Sequence, residues 1–285
     1  MDSTPSFDAI PPAGMAEKAV QLGIKKANSP VSTLSVLGFL AGAYIAMGAI
    51  FATAVTSGAN GLLSYGVTKL LSGLTFCLGL ILVVVGGAEL FTGNMLIIMA
   101  WADGKVTLKA LLRNWLIVYL ANFAGSIVMA GLIFYSGQYA FGHGVIGINM
   151  LTIGETKTSL AFFPAVYLGI LCNMAVCLAV WLTYSARTTT DKIMAIIFPI
   201  TMFVAAGFEH SVANMYFIPS ALFIKYGANQ AFFDAIEKTP ADFPHLTWEN
   251  FLIGNLLPVT IGNIIGGVVM VGLIYWYAYL RKKPS

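Results

Sequence analysis

Charge is scarce in this sequence. Only 9% of its 285 residues are Asp, Glu, Lys or Arg, against roughly 25% in soluble domains, while 58% are hydrophobic and the mean hydropathy is +0.84. A soluble fold has no way to hide that much apolar surface, so the chain belongs in a bilayer. Cysteine is nearly absent too: Cys77, Cys172 and Cys177 are odd in number and lie in hydrophobic stretches, which speaks against a disulfide framework and for buried thiols. The patterns G-x-x-x-x-G-K-[ST], C-x-x-C and H-E-x-x-H do not occur, so ATP-driven transport and metal catalysis have no support and an enzyme is not expected. Haem between helices would usually need more than one axial ligand, and the spans offer one histidine; no cofactor or metal is expected. The first 26 residues carry Asp2, Asp8, Glu17 and two adjacent prolines with no apolar core, unlike a cleaved signal peptide.

What the sequence has instead is long charge-free runs. No charged residue occurs in 27–68, 114–154, 158–186 or 250–280, and each run exceeds the ~20 helical residues that cross a bilayer. The expected architecture is an all-α membrane protein of six spans: 31–56, 69–100, 108–135, 159–185, 192–225 and 248–280. Residues 12–27 alternate small apolar and charged positions, which fits equally an amphipathic helix at the interface or a solvated helix, within an N-terminal cytoplasmic segment, 1–30. A Gly-rich loop is expected up to residue 158 and another over 226–247. A channel domain then covers 31–280, and 281–285 form a cytoplasmic tail. With the N-terminus inside, eleven Lys and Arg fall on the inner side and four on the outer, which places both termini in the cytoplasm.

Two of the six spans are interrupted at similar sequences. Gly87-Ala88-Glu89-Leu90-Phe91-Thr92-Gly93-Asn94-Met95 matches Gly207-Phe208-Glu209-His210-Ser211-Val212-Ala213-Asn214-Met215 in its Gly, Glu, Asn and Met at identical spacing. The spans that follow also correspond, through Asn122-Phe123-Ala124-Gly125 and Asn263-Ile264-Ile265-Gly266. Three crossings repeated once must be inverted, so the expectation is two inverted three-helix repeats, about 31–136 and 159–280, with the second and fifth helices broken. Unwound backbone at membrane depth survives only where it lines a cavity or is bonded by protein, and half-helix N-termini favour a small anion.

Apart from Glu249 at the very start of the last span, Glu89 and Glu209 are the only carboxylates within the spans. Two readings compete: acceptors for the amides freed at the breaks, which is favoured, or direct handling of substrate or proton. His210 is the one histidine expected in the bilayer, His143 and His245 falling in outer loops. An imidazole at a break changes charge near neutrality, which points to function. Thr92, Asn173 and Asn263 are polar candidates that serve equally well as interhelical hydrogen bonds.

The pair of break motifs resembles the formate/nitrite transporter family, and the similarity runs from about residue 13 to the sixth span. The resemblance implies an aquaporin-like fold, one pore per subunit, a homopentamer in the bacterial inner membrane, and passage of a small monovalent anion, formate first. It places Thr92 and the Leu90-Phe91 loop on the inner side of the pore, His210 at the centre with Asn263 nearby, and Lys157 and Asn173 towards the outer vestibule. Phe76, Leu80, Leu90, Phe91, Val176 and Phe203 match apolar constrictions, although ordinary packing would also explain Phe76, Leu80 or Val176. Glu89, Glu209, Asn94 and Asn214 fall to the structure of the breaks. The expected partners are the anion, lipid and further copies of the chain, with no nucleic acid. Nitrite and hydrosulfide are the nearest alternative substrates. A neutral-solute channel is disfavoured because Asn94-Met95 and Asn214-Met215 lack the Asn-Pro-Ala caps of aquaporins. Gly86-Gly87 and Gly93 flank a loop that could gate with the N-terminal segment when pH falls.

Overall fold

A computed structural model describes residues 8–59 and 61–281, and the described residues form an all-helical protein. Most of the tail expected at 281–285, and residues 1–7 of the N-terminal segment, lie outside them. Five helices are long and apolar enough to cross a membrane: α2 (Val31–Thr56), α3 (Tyr65–Gly86), α5 (Leu108–Tyr135), α7 (Phe162–Ser185) and the composite helix Asn250–Tyr279. Their exposed surfaces are apolar, with Val36, Leu116, Tyr167 and Ile253 all open, as a lipid-facing or subunit-facing surface requires.

The remaining elements are short. A 3-10 turn at Gly93–Ile97 and α4 (Ile98–Ala102) follow α3, and α8 (Thr189–Ala205) and α9 (Ser211–Gly227) are separate helices of 17 residues each. Helix α1 (Pro12–Ala27) takes the range the alternation predicts. Its Met15, Ala16, Ala19, Val20, Gly23 and Ala27 are buried, packed on Gly93–Ala102 and α7, so its small-residue face meets protein rather than lipid.

The two expected loops are not structureless. Residues 145–158 form helix α6 (Val145–Thr158), which packs on α9, and the 226–247 connection contains α10 (Gln230–Ala235). No apolar stripe marks α6, because glycine, threonine and the pair Glu155 and Lys157 interrupt every helical face. The composite helix is irregular: wide π turns at Asn250–Leu256 and Val268–Leu273 flank the regular α11 (Leu257–Gly267), and α12 (Ile274–Tyr279) ends it.

Local chemistry explains the ends. Thr107 caps α5 by accepting from Ala110 N–H, and Thr188 with Asp191 forms a capping box for α8. Helices α3 and α8 both stop at a left-handed glycine, Gly87 (φ 80°) and Gly207 (φ 74°), which L side chains rarely tolerate.

Candidate functional site

Beyond Gly87 the chain leaves helical geometry for a few residues, and its freed amides find partners on other helices. Glu89 N–H donates to Leu37 O (3.1 Å) and Phe91 N–H to Asn122 Oδ1 (2.9 Å). The Asn122 amide then donates back to Gly38 O (2.7 Å) and Glu89 O (2.9 Å). Beyond Gly207 the same pattern recurs. Glu209 N–H donates to Leu168 O (3.3 Å), Ser211 N–H to Asn263 Oδ1 (2.9 Å), and the Asn263 amide to Gly169 O (2.8 Å) and Glu209 O (3.0 Å). Asn122 and Asn263 are fully buried, and each makes three bonds to backbone.

The glutamates do not take the freed amides, as was expected of them; the two asparagines do. Glu89 Oε2 instead accepts from Lys26 Nζ (3.0 Å) and Asn94 Nδ2 (2.8 Å). Asn94 also donates to Asn114 Oδ1 (2.9 Å), and Asn114 to Lys26 O (3.0 Å), which closes a ring. At the second break Glu209 accepts from Lys157 Nζ (2.7 Å), Asn214 Nδ2 (2.6 Å) and Asn255 Nδ2 (3.3 Å). Asn214 donates to Asn255 Oδ1 (2.7 Å), and Asn255 to Lys157 O (2.9 Å).

The Lys157 ammonium is thus committed to a carboxylate, with 16% of its side chain exposed. Lys26, Asn114 and Asn255 complete these rings and were not singled out from sequence. A signal for them existed: Lys26 precedes Leu37 at the spacing by which Lys157 precedes Leu168, and Asn114 precedes Asn122 as Asn255 precedes Asn263.

Thr92 and His210 join the two breaks. His210 caps α9 with Nδ1 accepting from Ala213 N–H (3.0 Å), so in the neutral ring the proton sits on Nε2. That Nε2–H donates to Thr92 Oγ1 at 2.9 Å, and both residues are buried. Thr92 is held from behind, its carbonyl accepting from Asn173 Nδ2 (3.3 Å) and Cys177 Sγ (3.4 Å). Asn173 also donates to Asn263 O (2.6 Å).

Above this pair lies an apolar cavity of about 10 Å³, lined by Ile45, Phe76, Leu80, Leu90, Val176, Ile200, Phe203 and His210. Such a space holds about one water at most. Phe76 and Phe203 meet edge to face at 5.8 Å, and Phe203 lies 6.0 Å from the imidazole. Five of the six expected constriction residues line the cavity. Phe91 does not, its ring resting on Tyr119 at 4.7 Å. Ile45 and Ile200 complete the wall, and in sequence nothing distinguishes them from other apolar span residues.

The family model described as formate/nitrite transporter matches residues 13–277. The chain belongs to the formate/nitrite transporter family. Members of this family are channels and transporters rather than enzymes. The chain is similar to the formate channel FocA of Escherichia coli (strain K12), 44% identical over 277 residues and 97% of both chains. It is also similar to the formate channel FocA of Haemophilus influenzae, 39% identical over 269 residues and 94% of both. Among solved structures, one described as a pentameric formate channel with formate bound superposes with a TM-score of 0.84 at 46% identity, covering 88% of this chain and 98% of that one. An ion channel of the same family superposes at 0.77 with 29% identity, covering 93% and 98%. Family membership and the apolar helices together make this a multi-pass membrane protein.

Proposed function

We propose that this chain is a channel for small monovalent anions, formate foremost, working as a homopentamer with one pore per subunit in the bacterial inner membrane with both termini cytoplasmic. The observation that carries the reading is the Thr92–His210 pair bordering an apolar constriction where two chain breaks meet. The FocA relatives and the pentameric structure with formate bound support substrate and assembly. The architecture is read as six spans in two inverted, aquaporin-like repeats, with α3 to α4 and α8 to α9 as the broken second and fifth. Matching hydrogen bonds at Asn122 and Asn263, and matching Lys-Glu-Asn-Asn rings, support it. The repeat also takes in α1 and α6, whose Lys26 and Lys157 play the same part.

A bare anion crossing the sleeve of Phe76, Leu80, Leu90, Val176 and Phe203 would be stripped of water without a partner, a cost of several kcal/mol. Thr92 and the Nε2–H of His210 supply the polar contact at its edge. A proton supplies the rest. When an anion stands beside the ring, the doubly protonated imidazole is stabilised; Nε2 then gives its proton to the carboxylate and formic acid crosses neutral. Nδ1 keeps its proton in that step, so the cap on Ala213 stays open until Nε2 has taken a proton back from solution and Nδ1 has released its own, which restores the resting Nε2–H ring. Asn263 and Asn173 act behind this pair by fixing backbone, since the Asn263 side chain has both ends occupied.

Labelled formate, nitrite and hydrosulfide uptake into proteoliposomes at two pH values tests the proposal. Formate uptake that rises on acidification, with His210→Phe losing that dependence, is expected. Uptake of nitrite or hydrosulfide without formate would reassign the substrate, and an unchanged pH response in His210→Phe would remove the proton step.

A further inference from the structure

The outer side of the fold carries a titratable clamp that the transport path does not use. Glu155, on α6 two residues before Lys157, receives three donors from one short segment. These are His245 N–H (3.1 Å) and His245 Nδ1 (2.7 Å) on Oε1, and Leu246 N–H (2.9 Å) on Oε2. Lys225 of α9 binds the same segment from the other side, through Phe243 O (2.7 Å) and Leu246 O (2.9 Å). The next residue, Thr247, starts the composite helix by capping Asn250, and His245 O accepts from Asn250 Nδ2. That helix carries Asn255.

Both arms of the clamp therefore converge on one carboxylate. From Glu155, α6 leads to Lys157 and its bond to Glu209 Oε1; from His245, the composite helix leads to Asn255 and its bond to Glu209 Oε2. Glu209 is the neighbour of His210. Among the described residues the inner half shows no equivalent carboxylate–histidine pair: its helix α1 is held by Lys18 on Tyr184 O and, just past its end, by Arg113 on Ser29 O, both cation-to-carbonyl contacts.

We propose that Glu155 and His245 form a sensor of outer pH that sets how firmly Lys157 and Asn255 hold Glu209, and through it the break that carries His210. The His245 side chain is 57% exposed and sits 2.7 Å from Glu155 Oε1, so it is open to the outer solution, and imidazole is the side-chain type whose charge is most easily switched near neutrality. Charged His245 tightens the clamp on Glu155, and neutral His245 loosens it.

Among the described residues, Lys225 of α9 binds the carbonyls on either side of His245, and Lys157, two residues along α6 from Glu155, is turned to Glu209. Both are cations bound to oxygen acceptors. Asp242, on the same connection, is held below the usual carboxylate range by the backbone and hydroxyl of Thr239, with a smaller contribution from Lys238, so it stays charged throughout this window. Glu249 is exposed to solvent.

The deciding experiment is hydrogen–deuterium exchange of segment 209–214 in lipid nanodiscs, corrected for intrinsic exchange, at about pH 6 and about pH 8. Wild type is expected to lose protection about threefold on going to the higher pH, the scale of a partly exposed ion pair. His245→Gln should show the loosened level at both pH values, and His245→Lys, which keeps the charge, the tight level at both. A pH step of wild-type size in either variant overturns the proposal. The inference rests on the proposed transport only for its flux arm, in which outer pH is varied with inner pH fixed. An exchange step without formate uptake would leave the sensor standing and remove the substrate, and formate uptake without an exchange step would do the reverse.

Discussion

His210 Nε2 lies 2.9 Å from Thr92 Oγ1, so the histidine of one break has its partner on the other, far away in sequence. Replacing Thr92 by valine keeps the shape and removes the acceptor, leaving a buried N–H unpaired at a cost of about 1–3 kcal/mol. Formate uptake by Thr92→Val is expected to fall about tenfold, while Thr92→Ser, which keeps the hydroxyl, stays near wild type. Full uptake by the valine variant would place the polar contact elsewhere.

Asn263 is expected to matter for folding before it matters for transport. Its side chain bonds three backbone groups, and leucine there would orphan Ser211 N–H together with two carbonyls. Asn263→Leu should lose about 3 kcal/mol or more, and Asn122→Leu a similar amount, because Asn122 does the same at the first break. Thermal unfolding of the purified proteins compares them. A stable Asn263→Leu that fails to carry formate would instead make Asn263 a contact of the substrate.

The pair Lys157–Glu209 is buried, at 16% and 6% side-chain exposure, and removing one member strands the other. Lys157→Met and Glu209→Gln are each expected to destabilise by about 3 kcal/mol, and the double variant by clearly less than the sum. At Lys26–Glu89, with 28% and 12% exposure, water screens part of the charge, and the corresponding single changes should cost less. Additive effects at Lys157 and Glu209 would show that the pair is not coupled.

These relationships were only partly legible in the sequence. The starts of α2 and α5 follow from Pro30 and from the Thr107 cap, and the repeated Gly and Glu mark the breaks because glycine alone takes the left-handed turn without strain and a buried carboxylate is costly. What Glu89 and Glu209 bind was legible only through the shared spacings of Lys26 with Lys157 and Asn114 with Asn255, since these residues come from helices outside the breaks and nothing marks any one of them in isolation. Helix α6 was hidden because its buried side consists of Gly147, Met150, Leu151, Gly154 and Thr158, too small and mixed to register as an apolar stripe. The contact of Phe76 with Phe203 depends on distances between helices, which local pattern does not encode.

Phe76 offers the test of that contact. Its ring meets Phe203 of α8 at 5.8 Å and lies roughly parallel to Phe217 of α9 at 6.3 Å, and it lines the cavity together with Leu80 of its own helix and Ile200 of α8. Alanine removes a buried aromatic side chain, and in a rigid surrounding the space is only partly recovered by collapse. The cavity, now about 10 Å³, should then admit a wider monocarboxylate. Acetate uptake relative to formate is expected to rise about threefold or more in Phe76→Ala, at a stability cost of about 3–5 kcal/mol, while Phe91→Ala, whose ring rests on Tyr119 outside the cavity, should leave that ratio unchanged. If Phe91→Ala shifts the ratio and Phe76→Ala does not, size is selected below His210 and the apolar sleeve is not the filter.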